Sequence, residues 1–268
     1  MLGVILILFA GLPFAKPASA ANANDISSAH ITIEKQTFTG APIEPKLVVE
    51  IKKTGAKLVL GTDYTAEFSN NINAGKATVK ITGIGNYTGT KTDTFVINKA
   101  DISKAKVTGI ANKVYIGKAI TQTPVIKFTS AALSTKDYTI SYKNNVDVGT
   151  ATITISGQNN CQGTLTKTFK INPKKTSIVS LTRGKRLMTV KWKKVTKQTT
   201  GYQICYALNK KFTKGKKTIT IAKNTTVSKK IKKLKSSKVY YVKVRTYKVV
   251  GTAKFYSKWS KVKSVKVK

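Results

Sequence analysis

An internal repeat at an offset of 74 residues constrains this chain more than any other feature. Asp63-Tyr64-Thr65 recurs as Asp137-Tyr138-Thr139, and Asn70-Asn71 as Asn144-Asn145. Gly75, Ala77 and Thr78 recur as Gly149, Ala151 and Thr152, and Ile81 and Gly83 as Ile155 and Gly157. Gly89-Thr90, Phe95 and Ile97-Asn98 recur as Gly163-Thr164, Phe169 and Ile171-Asn172. Toward the front the register slips by three residues: Phe38-x-Gly40 matches Tyr115-x-Gly117, and Ile43 matches Ile120. A unit used twice in one chain must bury its own hydrophobic face or stack on its copy.

Each copy reads as β throughout. Ala77–Ile81 and Ala151–Ile155 alternate small or polar residues with Val and Ile, a period of two that puts one face in a core and the other in water. Asn and Asp between the runs bond nearby backbone and tolerate left-handed φ, and the recurring glycines read as turn positions needing positive φ. Asp-Tyr-Thr reads as a strand entry with a core tyrosine, not as a ligand contact. Asn98-Lys99-Ala100 and Asn172-Pro173-Lys174 read as linkers, and Pro173 cannot donate to a sheet ladder. The expected layout is a signal peptide over 1–20, β repeats over 21–99 and 100–173, and a third domain over 174–268.

That third segment holds 30 of the chain's 49 Lys and Arg and no Asp or Glu, so it carries +30 of the +39 net charge and residues 1–173 carry the other +9. Only Arg183, Arg186 and Arg245 are Arg. Lys is a hydrated point charge, while Arg forks onto phosphates and base edges. Diffuse attraction to polyanions therefore fits better than sequence reading, and nucleic acid is not the expected partner. The charge is laid over seven short β runs: Ile178–Leu181, Leu187–Lys193, Tyr202–Ala207, Thr218–Ala222, Val227–Ile231, Val239–Tyr247 and Phe255–Val267. Seven strands in about 95 residues suggest a sandwich.

Particular residues in these runs resemble a fibronectin type III domain. Met188-Thr189-Val190-Lys191-Trp192 resembles its second strand with the buried Trp, and Gly201-Tyr202-Gln203-Ile204 its third. Leu234 followed by Tyr240-Tyr241-Val242-Lys243-Val244 resembles the tyrosine corner and sixth strand, and Tyr256-Ser257-Lys258-Trp259-Ser260 the entry to the last. The resemblance implies a core of Trp192, Tyr202, Ile204, Leu234, Tyr240, Val242 and Val244. The repeated Asp-Tyr-Thr, Asn-Asn and Gly-x-Ala-Thr elements, with Gly83-x-Gly85-Asn86-Tyr87-Thr88-Gly89-Thr90, resemble the tandem immunoglobulin-like β repeats of Gram-positive surface proteins. The expected fold is all-β: two immunoglobulin-like sandwiches followed by a seven-stranded fibronectin type III sandwich.

Residues 2–15, LGVILILFAGLPFA, have the length of a signal-peptide apolar region, and Ala18-Ser19-Ala20 fits a cleavage site. Fourteen apolar residues fall short of the roughly 20 that span a bilayer. The mature chain is expected to be secreted, extracellular or held at the cell wall by non-covalent attraction, with no membrane span. Cys161 and Cys205 fall in different expected domains, so no disulfide is expected between them.

Catalysis finds little support. His30 is the single histidine, and no nucleophile elbow accompanies it. One His and two isolated Cys do not make a zinc site, and the ten scattered acidic residues form neither a calcium loop nor a hydrolytic carboxylate pair. Gly83-x-Gly85 with Gly89 precedes no helix and reads as a hairpin turn, not a phosphate loop. No enzyme activity, metal or cofactor is expected.

The basic surface remains. Lys229, Lys230, Lys232, Lys233 and Lys235 form one cluster, and Lys210, Lys211, Lys214, Lys216 and Lys217 a second. Lys258, Lys261, Lys263, Lys266 and Lys268 are expected to alternate along the last strand, several on one face. Such a field attracts polyanions, and Lys also guards sheet edges against pairing. The sequence thus points to spacer repeats carrying a basic module for an anionic cell-wall polymer or polysaccharide, in adhesion or wall association, with a host or matrix protein as a further partner. The alternative is an accessory fragment of a larger secreted enzyme that degrades carbohydrate or peptide.

Overall fold

A computed structural model describes residues 24–129 and 131–268. The signal-peptide reading over 1–20 lies outside the described residues. The described chain is all-β, with two short 3-10 turns at Ile102–Lys104 and Thr135–Asp137 as its helical residues. It divides into two compact units, Met1–Asn98 and Lys99–Lys268.

The first unit is a sandwich of two sheets. Gln36–Thr37, Thr90–Asn98, Gly75–Gly83 and Tyr64–Ser69 lie side by side in one, and His30–Ile33, Leu47–Glu50 and Lys57–Leu58 in the other. The period-two pattern produces the core: Val79 and Ile81 from the first sheet meet Ile31, Val49 and Leu58 from the second, around buried Tyr64. Alternate residues of each strand face water, which is why these strands tolerate so many Thr and Lys.

The second unit opens with the same design. Tyr138–Lys143, Gly149–Gly157 and Thr164–Asn172 stand 74 residues after their counterparts and pair in the same register, Ile140 opposite Ile155 as Ala66 is opposite Ile81. The three-residue slip is also visible. Asn71 Nδ2 donates to the Ile43 carbonyl and Asn145 Nδ2 to that of Ile120, each at 3.0 Å. The first copy places its additional residues between Ile43 and Asp63, where it forms the Lys57–Leu58 strand. Asn70 and Asn144 adopt left-handed φ of 55° and 58° as their turn role requires. Gly83 and Gly157 do not: each is glycine because a Cβ would stand 2.7–2.8 Å from the backbone nitrogen of Thr88 or Gln162. The expectation of positive φ fails there, and close backbone approach replaces it.

Residues 174–268 form a sandwich of two sheets. Ile178–Gly184, Leu187–Trp192 and Ser228–Ile231 make a three-stranded sheet. Lys217–Ile221, Gly201–Ala207, Val239–Val250, Ala253–Tyr256 and Lys263–Lys266 make a five-stranded one. Met188, Val190 and Trp192 from the first pack on Tyr202, Ile204, Tyr206, Tyr240, Val242 and Val244 from the second, with Leu234 closing one end. The Tyr240 hydroxyl accepts the Lys235 N–H at 3.0 Å and so ties the loop after Ile231 to the core.

The expected last run, Phe255–Val267, is not one strand. It breaks between Tyr256 and Lys263. Through the break two serines replace the missing pairing. The Ser257 and Ser260 hydroxyls accept the Thr246 and Val244 N–H groups at 3.1 and 3.0 Å, and their own N–H groups donate back to the Thr246 and Val244 carbonyls. One hydrogen bond holds the first residue of this sandwich to its body, and another joins the sandwich to the preceding repeat within the unit. Thr246 Oγ1 donates to the Lys174 carbonyl at 2.6 Å, and Gln198 Nε2 donates to Asp147 Oδ1 at 2.9 Å.

Candidate functional site

Hydrogen bonding at the end of the C-terminal sandwich far from Lys174 gathers three loops. The Leu234 N–H donates to the Arg186 carbonyl, the Arg186 N–H to that of Lys268, and the Ser237 N–H to that of Val267. This joins the Gly184–Leu187 turn to loop 232–238 and the end of the last strand. Loop 208–216 joins the same end, because Ala207 lies opposite Tyr241 at the start of the Val239–Val250 strand and the Tyr206 and Tyr240 rings are 6.2 Å apart. Asn209 makes loop 208–216 rigid. Its Oδ1 accepts the Thr213 and Lys214 N–H groups at 3.0 and 2.9 Å, and the Leu208 N–H donates to the Lys214 carbonyl.

The two lysine clusters, distant in sequence, therefore meet at one end. Lys210, Lys211, Lys214 and Lys216 come from one loop, Lys232, Lys233 and Lys235 from the second, and Lys185 and Arg186 from the turn, with Lys266 and Lys268 beside them; every one of these basic residues is exposed. No Asp or Glu of residues 174–268 sits among them, because the segment has none. The opposite end, held to Lys174, is about 20 Å away along the seven-residue Gly201–Ala207 strand.

Not every lysine of the clusters shares this surface. Lys229 lies opposite Val190 and Lys230 opposite Thr189, so adjacent residues fall on opposite faces of the edge strand. Lys217 lies opposite Tyr206, on the core side of its own edge strand, yet is exposed. Exposed Lys on the core-facing side of an edge strand blocks pairing with another chain. The expected alternation along the last strand also fails. Only Lys263 and Lys266 belong to it; they face opposite sides, and Lys263 Nζ donates to the Val179 carbonyl at 3.1 Å, across to the other sheet.

The outer face of the five-stranded sheet carries an arrangement that the sequence reading missed. Tyr241, Lys243, Arg245 and Tyr247 alternate with core residues along one strand and share that face. Lys243 Nζ stands 3.9 Å from the centre of the Phe212 ring and 5.0 Å from that of Trp259. The Arg245 guanidinium lies 3.8 Å from the Tyr256 ring centre and 4.3 Å from Trp259. Rings and cations thus alternate in the order Phe212, Lys243, Trp259, Arg245, Tyr256. Gln203 Oε1 accepts from Arg245 Nε at 2.9 Å and Nη2 at 2.6 Å. Burial draws the guanidinium below its ordinary pKa, against a smaller opposing influence from Tyr256 and Cys205. Beneath the stack, Cys205 and Ala207 are fully buried. The period-two alternation Tyr-x-Lys-x-Arg-x-Tyr was the available signal; the partners on other segments had none.

The remaining candidates are dispersed. His30 is exposed on its strand opposite Glu50, and both Asp25 carboxylate oxygens are taken by Ser27. Cys161 and Cys205 are buried free thiols, and burial, with Asp137 nearby, pushes the Cys161 thiol up to about 11. Among the described residues no group of three or more His, Cys, Asp or Glu could hold a metal ion, and no helix is long and apolar enough to cross a membrane.

No protein-family model matches the chain, and no curated protein matches it. Among solved structures, the chain is similar to a myokine structure at 22% identity, over 34% of this chain and 95% of that one, with a TM-score of 0.27. It is similar to the FN1–FN3 domains of chicken CNTN1 at 15% identity, over 89% and 98%, with a TM-score of 0.31. Domains A168–A170 from titin give 10% identity over 90% and 97%, with a TM-score of 0.26.

Proposed function

We propose that the chain is a non-enzymatic exported surface or extracellular protein in which residues 21–99 and 100–173 act as spacers and residues 174–268 bind an anionic cell-wall polymer or polysaccharide. The observation that carries this reading is the convergence of three basic loops at the end of the acid-free sandwich opposite Lys174. A surface of converging loops that carries lysine and no acidic side chain attracts a polyanion along its whole extent. Lysine supplies attraction without sequence reading, and its contribution falls as salt shortens the screening length to about 8 Å at physiological strength. Export rests on the apolar run and cleavage site of residues 2–20.

The test compares two five-fold Lys→Gln variants of the full chain. One changes Lys210, Lys211, Lys232, Lys233 and Lys235 at the remote end; the other changes Lys174, Lys175, Lys193, Lys197 and Lys223 elsewhere on the sandwich. Binding to purified teichoic acid and to heparin is titrated against ionic strength. The remote set should lower affinity and flatten the salt dependence well beyond the second set. Equal losses would mean that the charge acts without a location. A wild-type chain that ignores both polymers at low salt would reduce the lysines to a solubility device.

A further inference from the structure

We propose that the ring-and-cation stack on the five-stranded sheet is an oxyanion-reading track, in which the open edge of Arg245, with Lys243 beside it, binds successive phosphodiester groups of a linear polymer running from the basic end across the sheet. The inference rests on the polyanion reading above and gives it a located, shape-dependent component.

Four observations carry it. First, the Arg245 guanidinium lies 3.8 Å from the Tyr256 ring centre and 4.3 Å from that of Trp259, so ring stacking occupies space over its plane and favours approach at its edge. In-plane approach is the geometry in which a guanidinium donates two parallel hydrogen bonds to one oxyanion. Second, the partner that holds it is Gln203, a neutral amide, which takes the Nε hydrogen and one from Nη2. Of the five N–H donors of a guanidinium, three remain. A carboxylate at this position would cancel the charge; an amide orients it and leaves it uncompensated, and residues 174–268 contain no carboxylate side chain to do otherwise. Third, both cations are immobilised before any ligand arrives, which removes much of the rotamer entropy that a free Lys or Arg loses on binding. Fourth, the stack is continuous with the basic end, because Phe212, which covers Lys243, belongs to the same rigid loop as Lys210, Lys211 and Lys214. Lys243 and Arg245 are two residues apart on one strand, so their charges recur about every 7 Å. That spacing suits an extended polymer with one phosphodiester per short polyol unit.

The experiment uses the full chain with two substitutions, Arg245→Lys and Gln203→Glu. The first keeps the charge and removes the fork. The second keeps the size of the side chain and offers the guanidinium a competing carboxylate. The probes are a glycerol phosphate oligomer and a poly-L-glutamate of matched charge, titrated at low salt and at about 0.5 M, where long-range attraction is largely screened. The wild-type chain should retain a preference of about tenfold for the phosphodiester probe at high salt, roughly the value of one bidentate contact. Both variants should lose that preference, while the Lys→Gln variant of the remote end should keep it and lose low-salt affinity. Thermal unfolding runs alongside. Gln203→Glu should leave the midpoint unchanged, so its result is readable even where Arg245→Lys weakens the stack. If both variants bind as wild type while the remote-end variant still weakens, the track is only a latch for residues 257–260, and the broader polyanion reading stands. If the wild-type chain binds neither probe at low salt, both readings fall.

Discussion

The indole of Trp192 offers a quantitative test of how the C-terminal core is built. It is 2% exposed, and its ring centre lies 5.3 Å from that of Tyr202 at a tilt of 57°. Truncation to alanine in such a site costs about 3–5 kcal/mol through lost burial and the cavity left behind. The indole N–H has no hydrogen-bond partner among the protein atoms. A buried donor without a partner carries a penalty of about 1–3 kcal/mol. Trp192→Phe removes that donor, keeps a ring against Tyr202, and loses only part of the volume. The volume loss and the relieved donor act in opposite directions, so the net change should be within about 1 kcal/mol. For a sandwich of this size 1 kcal/mol moves the melting midpoint by about 4–8 °C. Trp192→Ala should thus lower it by roughly 12–40 °C and Trp192→Phe by no more than about 8 °C. Trp192 and Trp259 are the two tryptophans of the chain and both lie in this sandwich. In either variant the fluorescence of Trp259 then follows its unfolding in urea without interference from the repeats. Equal destabilisation by Phe and Ala would refute the argument from the unpartnered donor. A stable Trp192→Ala variant that loses only ligand binding would refute the core assignment itself.

Brief tryptic digestion of the chain should cut first at Lys99, between the two compact units, and later near residues 172–176, where Thr246 and Gln198 hold the junction; equally early release of 174–268, seen by mass spectrometry, would remove that distinction. Cys161 should resist iodoacetamide at pH 8 until the chain unfolds. Its thiol is held at about 11, chiefly by burial, whereas the unfolded thiol titrates near the ordinary value of about 8.5. Between these values the unfolded chain has released a proton that the native chain retains, so stability should fall as pH rises through this window. Cys161→Ala should make denaturant midpoints measured between pH 8 and pH 11 fall less steeply.

The fold was legible because its determinants are local and periodic. The 74-residue offset carried the register of three strands, since each matched pair of residues occupies the same place in a ladder. Asn71 and Asn145 could be matched from sequence, although their reach to the Ile43 and Ile120 carbonyls could not, because that contact crosses the three-residue slip. Gly83 and Gly157 were recognised as obligatory and given the wrong cause. A glycine needed for close approach looks in sequence like one needed for positive φ, and only the neighbouring backbone separates them. The break in the last strand was hidden for a related reason. Ser257 and Ser260 mimic strand pairing with their hydroxyls, so the run Phe255–Val267 keeps a β composition where the strand itself is interrupted.

The candidate surface was legible as composition and illegible as geometry, and the two parts have different physical origins. Net charge adds without regard to position, so +30 on an acid-free segment could be read at once. Location depends on parity and on which loops share an end. Neighbours in sequence such as Lys229 and Lys230 are separated by the sheet, while Lys211 and Lys233 are brought to one end by a strand register and a chain of backbone hydrogen bonds. The stack around Arg245 draws on three segments, and its two pinned cations are chemically unlike the free lysines around them. Lysines on loops stay hydrated and respond to the summed charge of a polymer. Arg245, flanked by rings and steered by Gln203, presents fixed donors. Under the two proposals, one sandwich therefore holds two kinds of positive charge, one sensitive to salt and the other to the shape of the anion. Ionic strength should separate them in a single titration: the loop lysines dominate where screening is weak, and the stacked guanidinium dominates what remains where screening is strong.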